Sequence, residues 1–128
     1  FLGWKAVLGA LAIALIGILL LETINYVEHY GLRRRLTSSG RPEPVLPAHS
    51  WNSDHELGRI FLYELTRHSD HHYKATRKYQ ILRHMDESPQ LPYGYPASVL
   101  LSLVPPLWFR IMDGRAREWM RRLETEKA

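Results

Sequence analysis

Seven histidines stand in 128 residues, and three of them crowd into one stretch, Arg67-His68-Ser69-Asp70-His71-His72. On a helix His68 and His72 sit one turn apart and His71 lies three positions from His68, so three imidazoles can converge on one side. Neutral imidazole is a ligand for iron, zinc, copper or nickel, and its second ring nitrogen can donate to an oxygen that fixes tautomer and ring direction. Asp70 is a candidate for that oxygen, although its helical angle can turn it away from the rings. The competing reading of the triplet is a solvated helix surface that happens to be rich in histidine. His29 is the second feature: on a continuous helix it shares a stripe with Glu22 and Asn25, just past an apolar run. A polar stripe leaving a membrane is costly unless satisfied, either by ligation or by hydrogen bonds to ligand rings. The alternative is polar decoration of a helix end. His49 and His55 flank Trp51-Asn52 in a loop and a helix cap, and His84 sits in a basic stretch, positions where histidines are usually solvated. The chain has no cysteine, which removes disulfides, thiolate metal sites and thiol nucleophiles together. No serine elbow, glycine phosphate loop or nucleic-acid motif is present.

The elements that must carry these residues follow from the hydropathy pattern. Residues 6–21 are an uninterrupted apolar run, and with 1–4 they supply roughly the 20 residues of a bilayer-spanning helix. A signal peptide would show a basic start and a small-residue cleavage site, neither of which is seen. A core helix apolar all round would need a large domain to cover it, which the polar remainder cannot provide. The arginines Arg33, Arg34, Arg35 and Arg41 place the end of the helix in the cytoplasm by the positive-inside rule. The net charge of +4 is modest and its clusters adjoin apolar segments, which favours a lipid bilayer or an acidic protein over nucleic acid. Lacking a starting Met, the chain is expected to be the C-terminal piece of something longer.

The expected architecture is all-α, a fragment of an integral membrane helical bundle. A transmembrane helix occupies 1–31 and extends to a ligand-bearing end, and a basic, proline-rich cytoplasmic loop covers 32–52. Ser53-Asp54-His55-Glu56 matches a capping box that opens a histidine-bearing cytoplasmic helix over 53–83. Leu57, Phe61, Leu65, His68 and His72 then form one face that changes from apolar to imidazole. A Pro/Gly connection spans 84–97. An interfacial or re-entrant apolar segment, cut by Pro105-Pro106, and a basic amphipathic tail fill 98–128.

Asn25-Tyr26-Val27-Glu28-His29-Tyr30-Gly31, His49-Ser50-Trp51-Asn52-Ser53, the His68 stretch, Arg77-Lys78-Tyr79-Gln80-Ile81-Leu82-Arg83 and Leu91-Pro92-Tyr93-Gly94-Tyr95 together resemble the C-terminal half of the bacterial membrane alkane hydroxylases, the alkane 1-monooxygenases. The resemblance covers about 21–113, and the two histidine-bearing stretches in this order are its specific part. It implies a multi-pass protein of the bacterial inner membrane with two nonhaem iron ions facing the cytoplasm. Such a centre uses O2 and two electrons from rubredoxin to hydroxylate the terminal methyl of an alkane. Carried over by position, His29, His68, His71 and His72 would ligate iron, and Asn25, Glu28 and Asp70 would hydrogen-bond the ligand rings. Arg77, Lys78 and Arg83 could receive an acidic carrier such as rubredoxin. The family's two earlier histidine boxes are not in this chain, so this piece is expected to be inactive without the N-terminal half that carries them. A xylene monooxygenase or a membrane fatty-acid desaturase or hydroxylase shares the same logic. A non-catalytic membrane module holding a structural ion is the reading from another class.

Overall fold

In the computed structural model, which describes residues 3–126, the apolar run forms α1 (Gly3–His29), followed by α2 (Glu56–Phe61), α3 (His68–Tyr73), α4 (Tyr95–Ser102) and α5 (Pro105–Glu126). Among the described residues extended pairing is limited to two isolated bridges, Leu36 with Pro42 and Asn52 with Gln90, and the architecture is all-α as expected. The 27 residues of α1 give about 40 Å of helix at about 1.5 Å per residue, enough to cross a hydrocarbon core of roughly 30 Å and protrude beyond it. Its large apolar side chains from Trp4 to Leu21 are exposed, and only Val27 and Glu28 are buried. A helix that is apolar where nothing covers it and packed only at its end has the distribution of a membrane span.

The core gathers at that packed end. Val27, Trp51, Leu91, Tyr95, Trp108, Met112 and Ala116 form one buried cluster. Trp108, Met112 and Ala116 recur every fourth residue and are the buried face of α5. Pro105 and Pro106 open this helix rather than break it, because the first helical positions need no N–H donor. The terminal carbonyls of α1 would be orphaned, and Trp51 answers two of them at once: its backbone N–H donates to the Glu28 carbonyl and its Nε1–H to the Tyr30 carbonyl, each at 2.8 Å.

Gly31 ends α1 with a left-handed φ of 71°, and a Cβ added there would sit 2.6 Å from the Ala116 Cβ. Gly31→Ala is expected to lower stability by at least the 1–2 kcal/mol or so that a left-handed non-glycine residue costs, with the overlap in addition. Thermal melting in detergent would show it. Ala116→Gly in the same chain should restore only the part due to overlap, because the backbone conformation is unchanged.

The single helix expected over 53–83 is instead two short ones. The chain turns between them with Tyr63 and Glu64 in left-handed conformations, φ 51° and 63°. Glu64 receives both Nε and Nη2 of Arg59 at 2.8 Å, and this paired ionic contact holds a turn that neither residue type prefers. The capping box does not form either. His55 is the residue that precedes α2, the Ser53 hydroxyl accepts from His55 N–H at 3.4 Å, and the Ser53 N–H goes to the Thr66 carbonyl. Leu57 and Phe61, expected on the apolar part of one continuous face, are exposed.

Candidate metal centre

His29 closes α1 and His68 opens α3, so the two rings reach each other across two element ends rather than along one helix. One ligand-capable atom from each of His29, His68 and His72 lies within 4.8 Å of the others. Their ring centroids are 5.3 Å apart for His29 and His68, 5.2 Å for His29 and His72, and 4.3 Å for His68 and His72. His71 borders the group, its ring 5.9 Å from that of His68 and 5.8 Å from that of His72, and stands outside the converging three.

The nitrogens are disposed for a ligand. His29 Nδ1 lies 3.0 Å from the His49 carbonyl, an acceptor only, so Nδ1 carries the proton and Nε2 keeps its lone pair. His68 is buried, and neither ring nitrogen has a hydrogen-bond partner. Glu28 Oε2 approaches His68 Nε2 to 3.2 Å, but without the alignment of a hydrogen bond. Leaving two buried polar atoms unmatched costs about 1–3 kcal/mol each, and a cation between the rings would take the lone pair of one of them and remove that share of the cost. Burial, then the neighbouring rings of His72, His29 and His71, pushes His68 down to about 2. His72 is lowered by the same causes, desolvation first and then His29 and His71. Both rings are therefore neutral at neutral pH, the form that binds metal.

One loop positions both ligand-bearing elements. Ser69 N–H donates to Asn52 Oδ1 at 3.0 Å, and the Ser69 hydroxyl lies within hydrogen-bond distance of the Pro47 and Ser50 carbonyls and of Asn52 Oδ1. The same loop is tied to α1 through Trp51, to α4 by Tyr95 Oη donating to the Trp51 carbonyl at 2.9 Å, and to α5 by Trp119 Nε1 donating to the Ala48 carbonyl at 3.0 Å. Asn52 is stitched to Pro89 and Leu91 by two backbone bonds of 2.8 Å.

Several expected contacts are not made. Asp70 does not reach the imidazoles. It is completely buried on the other side of α3, where Arg77 Nη1 at 2.8 Å, Arg83 Nη2 at 3.2 Å and Arg83 N–H at 2.9 Å surround its carboxylate. Position 70 is about 200° around a helix from position 68, which is why it faces away. Asn25 is exposed a turn before His29 and makes no hydrogen bond to the rings among the described residues. Of the three basic residues, Arg77 is largely spent on Asp70, with 16% of its side chain exposed, whereas the Arg83 side chain is 56% exposed and Lys78 is exposed. His84 pairs with Asp54 and with Asp86, away from the centre, and His55 is exposed. His49 is the surprise among the loop histidines, buried at 6% exposure with its carbonyl on His29. Position in a loop gave no sign of this, nor of Ser69 and Asn52. The density of Pro42, Pro44 and Pro47 was the available signal, since a segment poor in N–H donors must be held by side chains.

The fatty acid desaturase family matches residues 1–102. The chain is 51% identical over 117 residues to alkane 1-monooxygenase 2 of Alcanivorax borkumensis, covering 91% of this chain and 31% of that protein. It is 50% identical over 117 residues to alkane 1-monooxygenase 2 of Pseudomonas aeruginosa, with the same coverage of 91% and 31%. To the xylene/toluene monooxygenase hydroxylase component XylM of Pseudomonas putida it is 36% identical over 107 residues, 83% of this chain and 27% of that protein. The chain thus spans about a third of the length of the curated relatives it matches.

Proposed function

We propose, because the chain belongs to the fatty acid desaturase family, that it forms the C-terminal part of a membrane-bound nonhaem iron monooxygenase that hydroxylates the terminal methyl of alkanes. The observation that carries this reading is the convergence of His29, His68 and His72 at the end of a helix long and apolar enough to cross a bilayer. His71 is the fourth ligand of the proposal, close enough to join a second ion. Four imidazoles do not complete two iron shells, so the remaining ligands come from the N-terminal half of the enzyme, and this segment alone is inactive. The protein is multi-pass in the bacterial inner membrane, with the centre on the cytoplasmic side, as Arg33, Arg34, Arg35 and Arg41 favour.

Iron held by these residues would supply O2 activation: with two electrons and two protons delivered from outside, and the two electrons of the C–H bond, one oxygen atom would enter that bond as a hydroxyl and the other would leave as water. The chain's own residues prepare the place. His29 turns Nε2 toward the centre because Nδ1–H is committed to the His49 carbonyl. His68, buried, brings a neutral ring and keeps water from that side. The continuous apolar surface of α1 runs from Trp4 to Leu21 and stops about two helical turns short of His29, so an alkane dissolved in the bilayer is carried through lipid to the neighbourhood of the centre. Electrons arrive from the aqueous side by rubredoxin. Lys78 and the exposed guanidinium of Arg83 remain for its acidic surface, Arg77 being tied to Asp70.

The test is Mössbauer spectroscopy with metal analysis on the full-length protein in membranes, alongside product identification from an n-alkane and from xylene. A coupled iron pair together with the 1-alkanol is the expected result. A methylbenzyl alcohol as the preferred product would move the reading to the aromatic branch, and a lone zinc ion with no product would overturn it.

A further inference from the structure

We propose that His49 and Glu43 are positioning residues of the metal centre, holding the His49 carbonyl against His29 and so fixing which nitrogen of His29 faces the metal. This rests on the metal-centre reading above. Pro42, Pro44 and Pro47 remove three backbone donors from six consecutive positions, so backbone bonds alone cannot hold this segment in one shape. The His49 ring supplies what is missing. Leu46 N–H donates to His49 Nδ1 at 3.0 Å while His49 N–H donates to the Leu46 carbonyl at 3.0 Å, a reciprocal clasp that closes the turn at Pro47–His49.

That clasp settles the ring's own tautomer. With Nδ1 accepting, the proton is on Nε2, which lies 3.1 Å from Glu43 Oε1. The same carboxylate oxygen accepts Arg35 N–H at 3.2 Å, and Glu43 N–H returns to the Arg35 carbonyl at 2.8 Å. Arg35 in turn donates Nη2 to the Leu123 carbonyl of α5 at 2.8 Å. A continuous set of bonds therefore runs from α5 through Arg35, Glu43 and the His49 ring to the peptide whose carbonyl meets His29 Nδ1 at 3.0 Å. Oxygen partners on the remote nitrogen of a ligating histidine are worth roughly 10–100-fold in metal affinity. Here the oxygen is a main-chain carbonyl, so substitution cannot delete it directly, and the side chains that aim it are where its effect can be measured.

The experiment follows iron release into a chelator, the Mössbauer spectrum and the melting of the metal-free protein, all in the full-length protein. His49→Ala and Glu43→Ala are expected to release iron about 10–100-fold faster and to alter the signal of one iron site. Glu43→Gln should recover most of the loss, because its amide oxygen accepts the same Nε2–H. Metal-free melting of Glu43→Ala should stay close to that of the unsubstituted protein, which separates aiming from folding. If His49→Ala does not fold, the two Glu43 variants decide alone. Unchanged release and spectrum in Glu43→Ala would overturn the positioning role, as would a loss that Glu43→Gln does not restore. Failure of the unsubstituted protein to bind iron would overturn the metal-centre reading and this inference with it.

Discussion

His68→Leu in the full-length protein is expected to abolish iron binding and product formation while leaving the metal-free protein as stable as before, or more so. The two halves of this result come from the same atoms. His68 places two ring nitrogens in a buried site with no hydrogen-bond partner, and each such atom weighs against folding by about 1–3 kcal/mol. Leucine fills much of the volume and carries no polar atom, so the metal-free fold gains. Iron loses a ligand that lies 4.3 Å, ring to ring, from His72 and 5.3 Å from His29. The affinity loss should exceed the roughly 10–100-fold typical of residues that only support a ligand. His71→Leu, at the edge of the group, should lose less. Calorimetry of the metal-free protein and metal analysis after purification check the two halves separately. A His68→Leu protein that melts well below the unsubstituted one would mean that the ring is held for packing. Retained iron with full turnover would remove His68 from the centre.

The membrane helix was legible because nothing in it competes with its apolar run, and the one-turn spacing of His68 and His72 survives in α3. The continuity between Ser53 and Arg83 did not survive. Leu57, Phe61, Leu65, His68 and His72 follow one another at helical spacings of four, four, three and four, yet the chain reverses at Tyr63 and Glu64, residues that ordinarily sit comfortably in a helix. The Arg59–Glu64 pair and the bond from Ser53 N–H to the Thr66 carbonyl outweigh local preference there. Because of that reversal, α3 returns to the end of α1, so the break in the helix is also what assembles the site. His49 was hidden for a different reason: its role is exerted through a main-chain oxygen, and no side-chain pattern reports where a carbonyl points.

Asp70→Asn should cost about 3 kcal/mol of stability, the lower end of what breaking a buried ion pair costs. Asp70 is fully buried and meets two guanidinium groups. Arg83, more than half exposed, can turn to water once the charge is gone, but Arg77 has little such freedom and is left facing an amide. The pH dependence separates this account from a packing defect. Burial pushes the Asp70 carboxyl up, and the hydrogen bonds and charges of Arg83 and Arg77 more than reverse it, so the group lies below its ordinary value. A carboxyl lower in the folded than in the unfolded chain contributes stability above the unfolded value, about 3.9, and loses it as pH falls through the folded one. The gap in melting temperature between the unsubstituted and Asp70→Asn proteins should therefore be full at pH 6 and shrink below about pH 4. A gap constant down to pH 3 would assign the effect to shape. Because Ser69 and Asp70, about 100° apart around α3, tie it to different segments, loosening one should let His68 and His72 drift from His29. The same variant is thus expected to bind iron more weakly without touching a ligand, and Arg83→Ala, which leaves the backbone bond and Arg77 in place, should do so far less.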